Sequence, residues 1–180
     1  MHQDSRHIIQ ACLKKDRSAQ HRLYKMYNHT LMTSATFHLN DCQKAQEVVQ
    51  ETWVDVFKGL EKYDESKSQL ITWMKTILIR KIWKTNAIKN MTTDLSELSL
   101  TPSKEAAVLD NMSCEEILNE MDKIPRVSRM VFKMYVVEGY KHSEIATILD
   151  IKESTSRVHL TKARTIMRDR YNLINKVIEK

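Results

Sequence analysis

The amino-acid sequence predicts an all-α protein built as two small helical domains joined by a flexible acidic linker. Three observations lead there. Only two Gly and two Pro occur in 180 residues, which leaves long stretches free of helix breakers and disfavours a fold made of tight turns. Apolar residues recur three and four apart over most of the chain, the period of an amphipathic helix. Charge divides sharply: residues 1–90 carry 15 Lys/Arg against 9 Asp/Glu, residues 91–118 carry 1 against 6, and residues 119–180 carry 13 against 8.

The domain assignment follows that division: residues 1–90, a linker at 91–112, and residues 113–180. In the first domain, helices are expected at 4–14, 17–38, 41–60 and 68–90, separated by breaks at Lys15-Asp16, Asn40-Asp41 and "KYDESKS". The linker "MTTDLSELSLTPSKEAAVLDNM" has weak apolar periodicity, a Ser/Thr-rich start and Pro102. Further helices are expected at 114–123, 126–137, 142–149 and 154–172, with breaks at Pro125, Gly139 and Asp150-Ile151-Lys152. No internal repeat is visible.

Several function classes drop out. Cys12, Cys42 and Cys114 are too few and too scattered for a disulfide framework or a zinc site, and read as reduced packing residues. The seven His form no H-E-x-x-H pattern, so no metal is expected. G-x-S-x-G, the Walker loop and G-x-G-x-x-G are all missing, which leaves an enzyme or a cofactor without support. No run of about 18 apolar residues appears and the N-terminus is charged, so neither membrane insertion nor a secretory signal is expected, and the cytosol is the expected compartment.

What the basic blocks bind is narrowed by one stretch, "GYKHSEIATILDIKESTSRVHLTKART". A basic block draws polyanions by releasing their counterions, although helical surfaces are often simply rich in Lys. On a helix from Ser154, the residues Ser156, Leu160, Ala163 and Met167 share one face, which suits packing on Ile145, Ala146, Ile148 and Leu149. The opposite side presents Ser154, Arg157, Val158, Thr161, Lys162 and Thr165. Donors, hydroxyls and an apolar contact near the start of the second of two short helices describe a helix-turn-helix reading the major groove; a helical hairpin with a solvated polar face is the plainer alternative.

Residues 124–167, "IPRVSRMVFKMYVVEGYKHSEIATILDIKESTSRVHLTKARTIM", resemble the promoter-reading C-terminal domain of sigma-70 family RNA polymerase sigma factors, particularly the extracytoplasmic-function group. Upstream, "DCQKAQEVVQETWVDVFKGLEKYD" (41–64) resembles the helix by which that family holds the polymerase clamp. The segment "SQLITWMKTILIRKIWK" (68–84) resembles the helix that opens the −10 element, with Trp73, Met74 and Ile77 as its core pattern. The resemblance implies a dissociable, non-enzymatic subunit whose partners are core RNA polymerase, promoter DNA and an anti-sigma factor. A stand-alone helix-turn-helix regulator, the rival reading, lacks the first domain; a helical adaptor without a DNA role is a third.

On this reading Glu47, Gln50 and Glu51 share an outer face suited to a basic coiled coil of the polymerase. Thr76, Arg80, Trp83 and Lys84 share a face suited to phosphates and unstacked bases. Ser154, Arg157, Val158, Thr161 and Lys162 would contact the −35 element. The loop Asp64 to Gln69 matches the segment that captures a flipped base in the family. In the linker, Asp94, Glu97, Glu105 and Asp110 would imitate the charge of a nucleic-acid strand. The chain departs from the family at Arg80 (more often Asn) and Lys84 (Asp or Asn), where phosphate contact is the expected role. It departs also at Lys141 (often a capping Ser) and at Asp150 and Ser154 (often Gly). Asp tolerates left-handed backbone; Ser143 or His142 is expected to cap the helix at 142, and Ser154 to cap the reader helix.

Overall fold

The computed structural model describes residues 2–87 and 121–178, with side chains described over 6–85 and 121–170. It contains two compact units, Met1–Thr92 and Thr93–Lys180. The linker at 91–112 with its four acidic residues, and most of the helix expected at 114–123, lie outside the described residues.

The first unit contains α1 (His2–Leu13), α2 (Arg17–Leu39), α3 (Cys42–Gly59), a 3-10 turn (Leu60–Lys62) and α4 (Leu70–Ala87). Local chemistry sets the breaks. Asp16 caps α2, its Oδ1 accepting from the Ser18 and Ala19 N–H groups at 2.8 and 3.3 Å. Asn40 takes a left-handed conformation (φ 50°) that ends α2, its N–H donating to the Thr36 carbonyl, and Asp41 then caps α3 by accepting from Lys44 N–H at 3.0 Å. Helices α2, α3 and α4 pack on one another, and α1 packs on α2. Their shared core comprises Leu23 and Leu31, then Val49, Trp53 and Val56, then Met74, Leu78, Ile79 and Ile82, all at most 4% exposed. Trp53 is anchored further by its indole N–H, which donates to Asn28 Oδ1 at 3.1 Å. Thr52, wholly buried, stays satisfied by donating its hydroxyl to the Val48 carbonyl at 2.7 Å.

The second unit contains α5 (Arg126–Phe132), a π turn (Lys133–Val137), α6 (His142–Leu149) and α7 (Glu153–Ile178). Both α5 and α6 pack on α7. The single helix expected at 126–137 is thus corrected: after Phe132 the coil widens, the Glu138 N–H donating to Lys133 and the Tyr140 N–H to Met134. Residues 130–134 are all buried, whereas Tyr135, Val136 and Val137 are 36, 47 and 58% exposed. Gly139, at φ 77°, turns the chain toward α6 in a conformation that a side chain would strain.

The widened turn leaves Lys133 only 3% exposed. Burial, reinforced by the charge of Arg129 and opposed by Asp122 and Glu138, pulls its pKa from 10.5 to about 8. The unfolded chain therefore binds the extra proton more readily, and this group adds stability as pH rises from about 8 to 10.5. At neutral pH the folded chain carries a buried ammonium. Lys133→Met is expected to stabilise the second unit by about 1–3 kcal/mol at pH 7. Its advantage over the parent chain should shrink through that alkaline window. Denaturant midpoints followed by circular dichroism check both; a destabilised variant at pH 7 would show that the ammonium is held favourably.

Candidate nucleic-acid and polymerase interfaces

Within the second unit the reader helix is oriented by what it buries. Ser156, Leu160, Ala163 and Met167 are at most 5% exposed, as are Ile145 and Leu149 across from them. Ser154, Arg157, Val158 and Thr161 are exposed on the other side and Lys162 is half-buried beside them. The five candidate readers thus share one outer face. Arg157 is ion-paired one turn back to Glu153, an exposed pair that costs little to exchange for a phosphate or a base. The Thr161 hydroxyl donates to the Arg157 carbonyl at 3.1 Å, which leaves its oxygen able to accept.

Two capping expectations are corrected. Helix α7 starts at Glu153, with the Ser156 N–H donating to the Lys152 carbonyl, so Ser154 lies inside the first turn and does not cap it. At α6 neither Ser143 nor His142 is the cap: Lys141 holds that position, and the Glu144 carboxylate reaches back to accept from the Lys141 N–H at 2.7 Å. Asp150 does adopt the left-handed turn conformation, at φ 56° and ψ 50°.

His142 is turned inward. Its Nδ1 lies 2.9 Å from Ser156 Oγ, and its ring stacks on Tyr135 with centroids 4.4 Å apart. A second pair, Ser128 Oγ and His159 Nδ1 at 3.0 Å, ties α5 to α7. These two bonds fix the rotation of α7 about its axis and hence which side chains face outward. Burial, then the charge of Arg157, lowers the His142 pKa, against an opposing pull from Glu153. The sequence offered one clue, a Ser in the middle of an otherwise apolar face, since a buried hydroxyl requires a partner.

On the first unit, Glu47, Gln50 and Glu51 are exposed along α3. The same face continues through Val54, 51% exposed, and Asp55, neither of which helical spacing had marked as a polymerase contact. On α4, Arg80 and Lys84 are exposed, whereas Thr76 and Trp83 are half-buried. The Thr76 hydroxyl donates to the Thr72 carbonyl at 3.0 Å, so the exposed part of this stripe is mainly cationic. Trp73 packs against Gly59 and lies 5.3 Å from the Tyr63 ring.

The loop Asp64 to Gln69 is held by its own side chains. Asp64 Oδ1 accepts from the Ser66 N–H and hydroxyl at 3.0 and 2.7 Å, and the Tyr63 hydroxyl donates to the Ser68 carbonyl at 2.9 Å. Arg6 of α1 pairs with Glu65, and these residues with Ile9, Gln10, Tyr63 and Asp64 border an open cavity of about 490 Å³. Among the described residues no group of His, Cys, Asp and Glu is placed to hold a metal ion, and no helix is long and apolar enough to cross a membrane.

Comparison with known proteins divides along the same two units. The family described as "Sigma-70 region 2" matches residues 23–85, and "Sigma-70, region 4" matches residues 114–167, together well over half of the chain. Among curated relatives, a probable RNA polymerase sigma factor RfaY of Xanthomonas campestris pv. campestris is 20% identical over 94% of this chain and 43% of its own length. The RNA polymerase sigma-H factor of Pseudomonas aeruginosa is 22% identical over 87% of this chain and 88% of its own length. In fold, the chain is similar to CnrH, solved with the cytosolic domain of CnrY, at a TM-score of 0.59 and 14% identity, over 93% of this chain and 97% of that one. It is also similar to the sigma factor RpoE of Bartonella quintana, solved with the anti-sigma factor NepR, at 0.58 and 14%, over 82% and 93%.

Proposed function

Because this chain belongs to the sigma-70 family, with region 2 preceding region 4, we propose that it is an initiation factor of the extracytoplasmic-function type. It docks on core RNA polymerase, directs it to a promoter and helps to open the duplex, and it catalyses no reaction itself. The supporting observation is the presence in one chain of two exposed surfaces of the chemistry nucleic acid requires: Arg80 and Lys84 beside half-buried Trp83, and the outer face of α7 with Arg157 and Thr161. A helix-turn-helix regulator needs only the second.

In this mechanism the α3 face with Glu47, Gln50 and Glu51 holds a basic coiled coil of the polymerase. Arg80 and Lys84 track the phosphates of the −10 element while Trp83 beside them stacks on a base that has left the duplex. The reader face of α7 contacts the −35 element. Region 2 and region 4 act as separate contacts, so total affinity depends on both and carries the salt dependence of every phosphate engaged. The factor works inside a bacterial cell, on the nucleoid. Release from an anti-sigma protein, of the kind bound to the RpoE of similar fold, governs when it is free.

The wild-type chain should shift promoter DNA strongly only with core enzyme present, and run-off transcription on genomic fragments should identify its promoters. The double variant Arg80→Ala, Lys84→Ala should slow strand opening by about tenfold or more while closed complexes still form. Its salt slope should fall by about one ion for each cation removed. Permanganate footprinting that shows normal opening in the double variant would remove this helix from the opening step.

A further inference from the structure

Lys81, on α4, belongs to neither of the surfaces assigned above, yet it joins them. Its Nζ lies 2.8 Å from Asp55 Oδ2 and 3.3 Å from Glu51 Oε2, both on α3. The geometry is asymmetric: the lysine side chain is 20% exposed, the Asp55 and Glu51 side chains 47 and 65%. The ammonium lies beneath carboxylates that an outside partner can reach. On the α4 wheel, Lys84 lies about 40° from Arg80 and Lys81 about 100° from it, so the three cations form one arc that ends at α3.

We propose that Lys81 is a further phosphate-contacting residue of α4, masked by Glu51 and Asp55 in the free chain and unmasked when basic groups of the polymerase take those carboxylates. The proposal rests on the docking role of α3 under the proposed function. In the free chain two anions neutralise one cation, and the positive arc is cut down to Arg80 and Lys84. A basic partner on the α3 face pairs with the carboxylates, the four-carbon stem of Lys81 re-rotates, and the arc gains a charge without any backbone movement. At these distances the exchange is little screened, because they are well inside the Debye length of about 8 Å at physiological salt. Thermodynamic linkage makes the effect mutual: phosphate on Lys81 also frees Glu51 and Asp55 for the polymerase. Burial pulls the Lys81 pKa down, but the hydrogen bonds and charges of Asp55 and Glu51 outweigh it and hold the group above its ordinary 10.5.

Lys81→Met keeps the stem and removes the charge, so it separates packing from electrostatics. With core polymerase, this variant should bind as well as wild type or slightly tighter, since its carboxylates are free. The resulting holoenzyme should bind promoter DNA about tenfold more weakly, with a salt slope reduced by about one ion. In the opposite direction, Asp55→Asn removes the nearer mask; free of polymerase, it should bind a single-stranded promoter oligonucleotide several-fold more tightly than wild type. Circular dichroism establishes that both variants are folded. An unchanged promoter affinity and salt slope for the Lys81→Met holoenzyme overturns the proposal, as does Asp55→Asn binding the oligonucleotide no better than wild type. If the wild-type chain itself fails to bind core enzyme, the docking role falls first and the masking with it.

Discussion

Glu51→Arg is expected to lower affinity for core RNA polymerase by more than tenfold while leaving the helical content intact. Removing one partner of a close charge pair at an interface costs about 2–5 kcal/mol, and a reversed charge adds repulsion from the basic surface it was meant to meet. The site tolerates the change in the free chain because the Glu51 side chain is 65% exposed. It does place a new cation near Lys81, whose closer partner Asp55 remains at 2.8 Å. Glu51→Gln is therefore the informative companion, since it loses the charge without adding repulsion toward Lys81 and should fall between the two. Pull-down or anisotropy with core enzyme measures the effect, and equal melting curves exclude misfolding. Unchanged affinity in Glu51→Arg would show that α3 is not the polymerase contact.

The second large effect lies on α7. Arg157→Ala should cost about 1–3 kcal/mol at the promoter position that Arg157 reads, with preference relaxed at that position alone. The starting state favours a clear result, because Arg157 is exposed and paired with Glu153 one turn earlier. Lys162 is half-buried, so truncation there would also remove packing. Lys162→Met is the better substitution: it retains the stem and tests the charge. If Lys162 meets phosphate, its loss should be similar on all promoter variants and lower the salt slope by about one ion. Holoenzyme binding to a panel of single-base −35 variants at two salt concentrations separates base reading from phosphate contact. A panel on which both variants behave as wild type would remove α7 from the reader role.

How far these sites could be read before the structure depends on the range of the interactions that make them. Helix periodicity reports burial within one element, so the inward set Ser156, Leu160, Ala163 and Met167 was legible, and so was the outward set that opposes it. Breaks with local capping chemistry, at Asp16, Asn40 and Asp41, were legible for the same reason. The π turn was not, because an extra residue in a coil leaves the apolar pattern "RVSRMVFKMYVV" looking like a continuous helix. Register at the reader helix failed by two residues: Ser154 is a good capping type, but α7 starts at Glu153 and Lys152 holds the cap position. Least visible were contacts between helices. Lys81 to Asp55 and His142 to Ser156 join residues on different helices, and no one-dimensional period records them. The burial of Lys133 is a case of the same kind, since Lys is rarely enclosed and the sequence gives no reason to expect it.

The placement of the aromatic residues has an optical consequence. All three tryptophans, Trp53, Trp73 and Trp83, fall in the first unit, where Trp53 is only 4% exposed. Indole emission therefore follows the melting of that unit alone, whereas far-ultraviolet circular dichroism sums over both helical halves. Two units of this kind need not unfold as one transition. The offset between the two curves, recorded on one uncut sample, measures the stability of the helix-turn-helix half separately, and the chain needs no added dye or label.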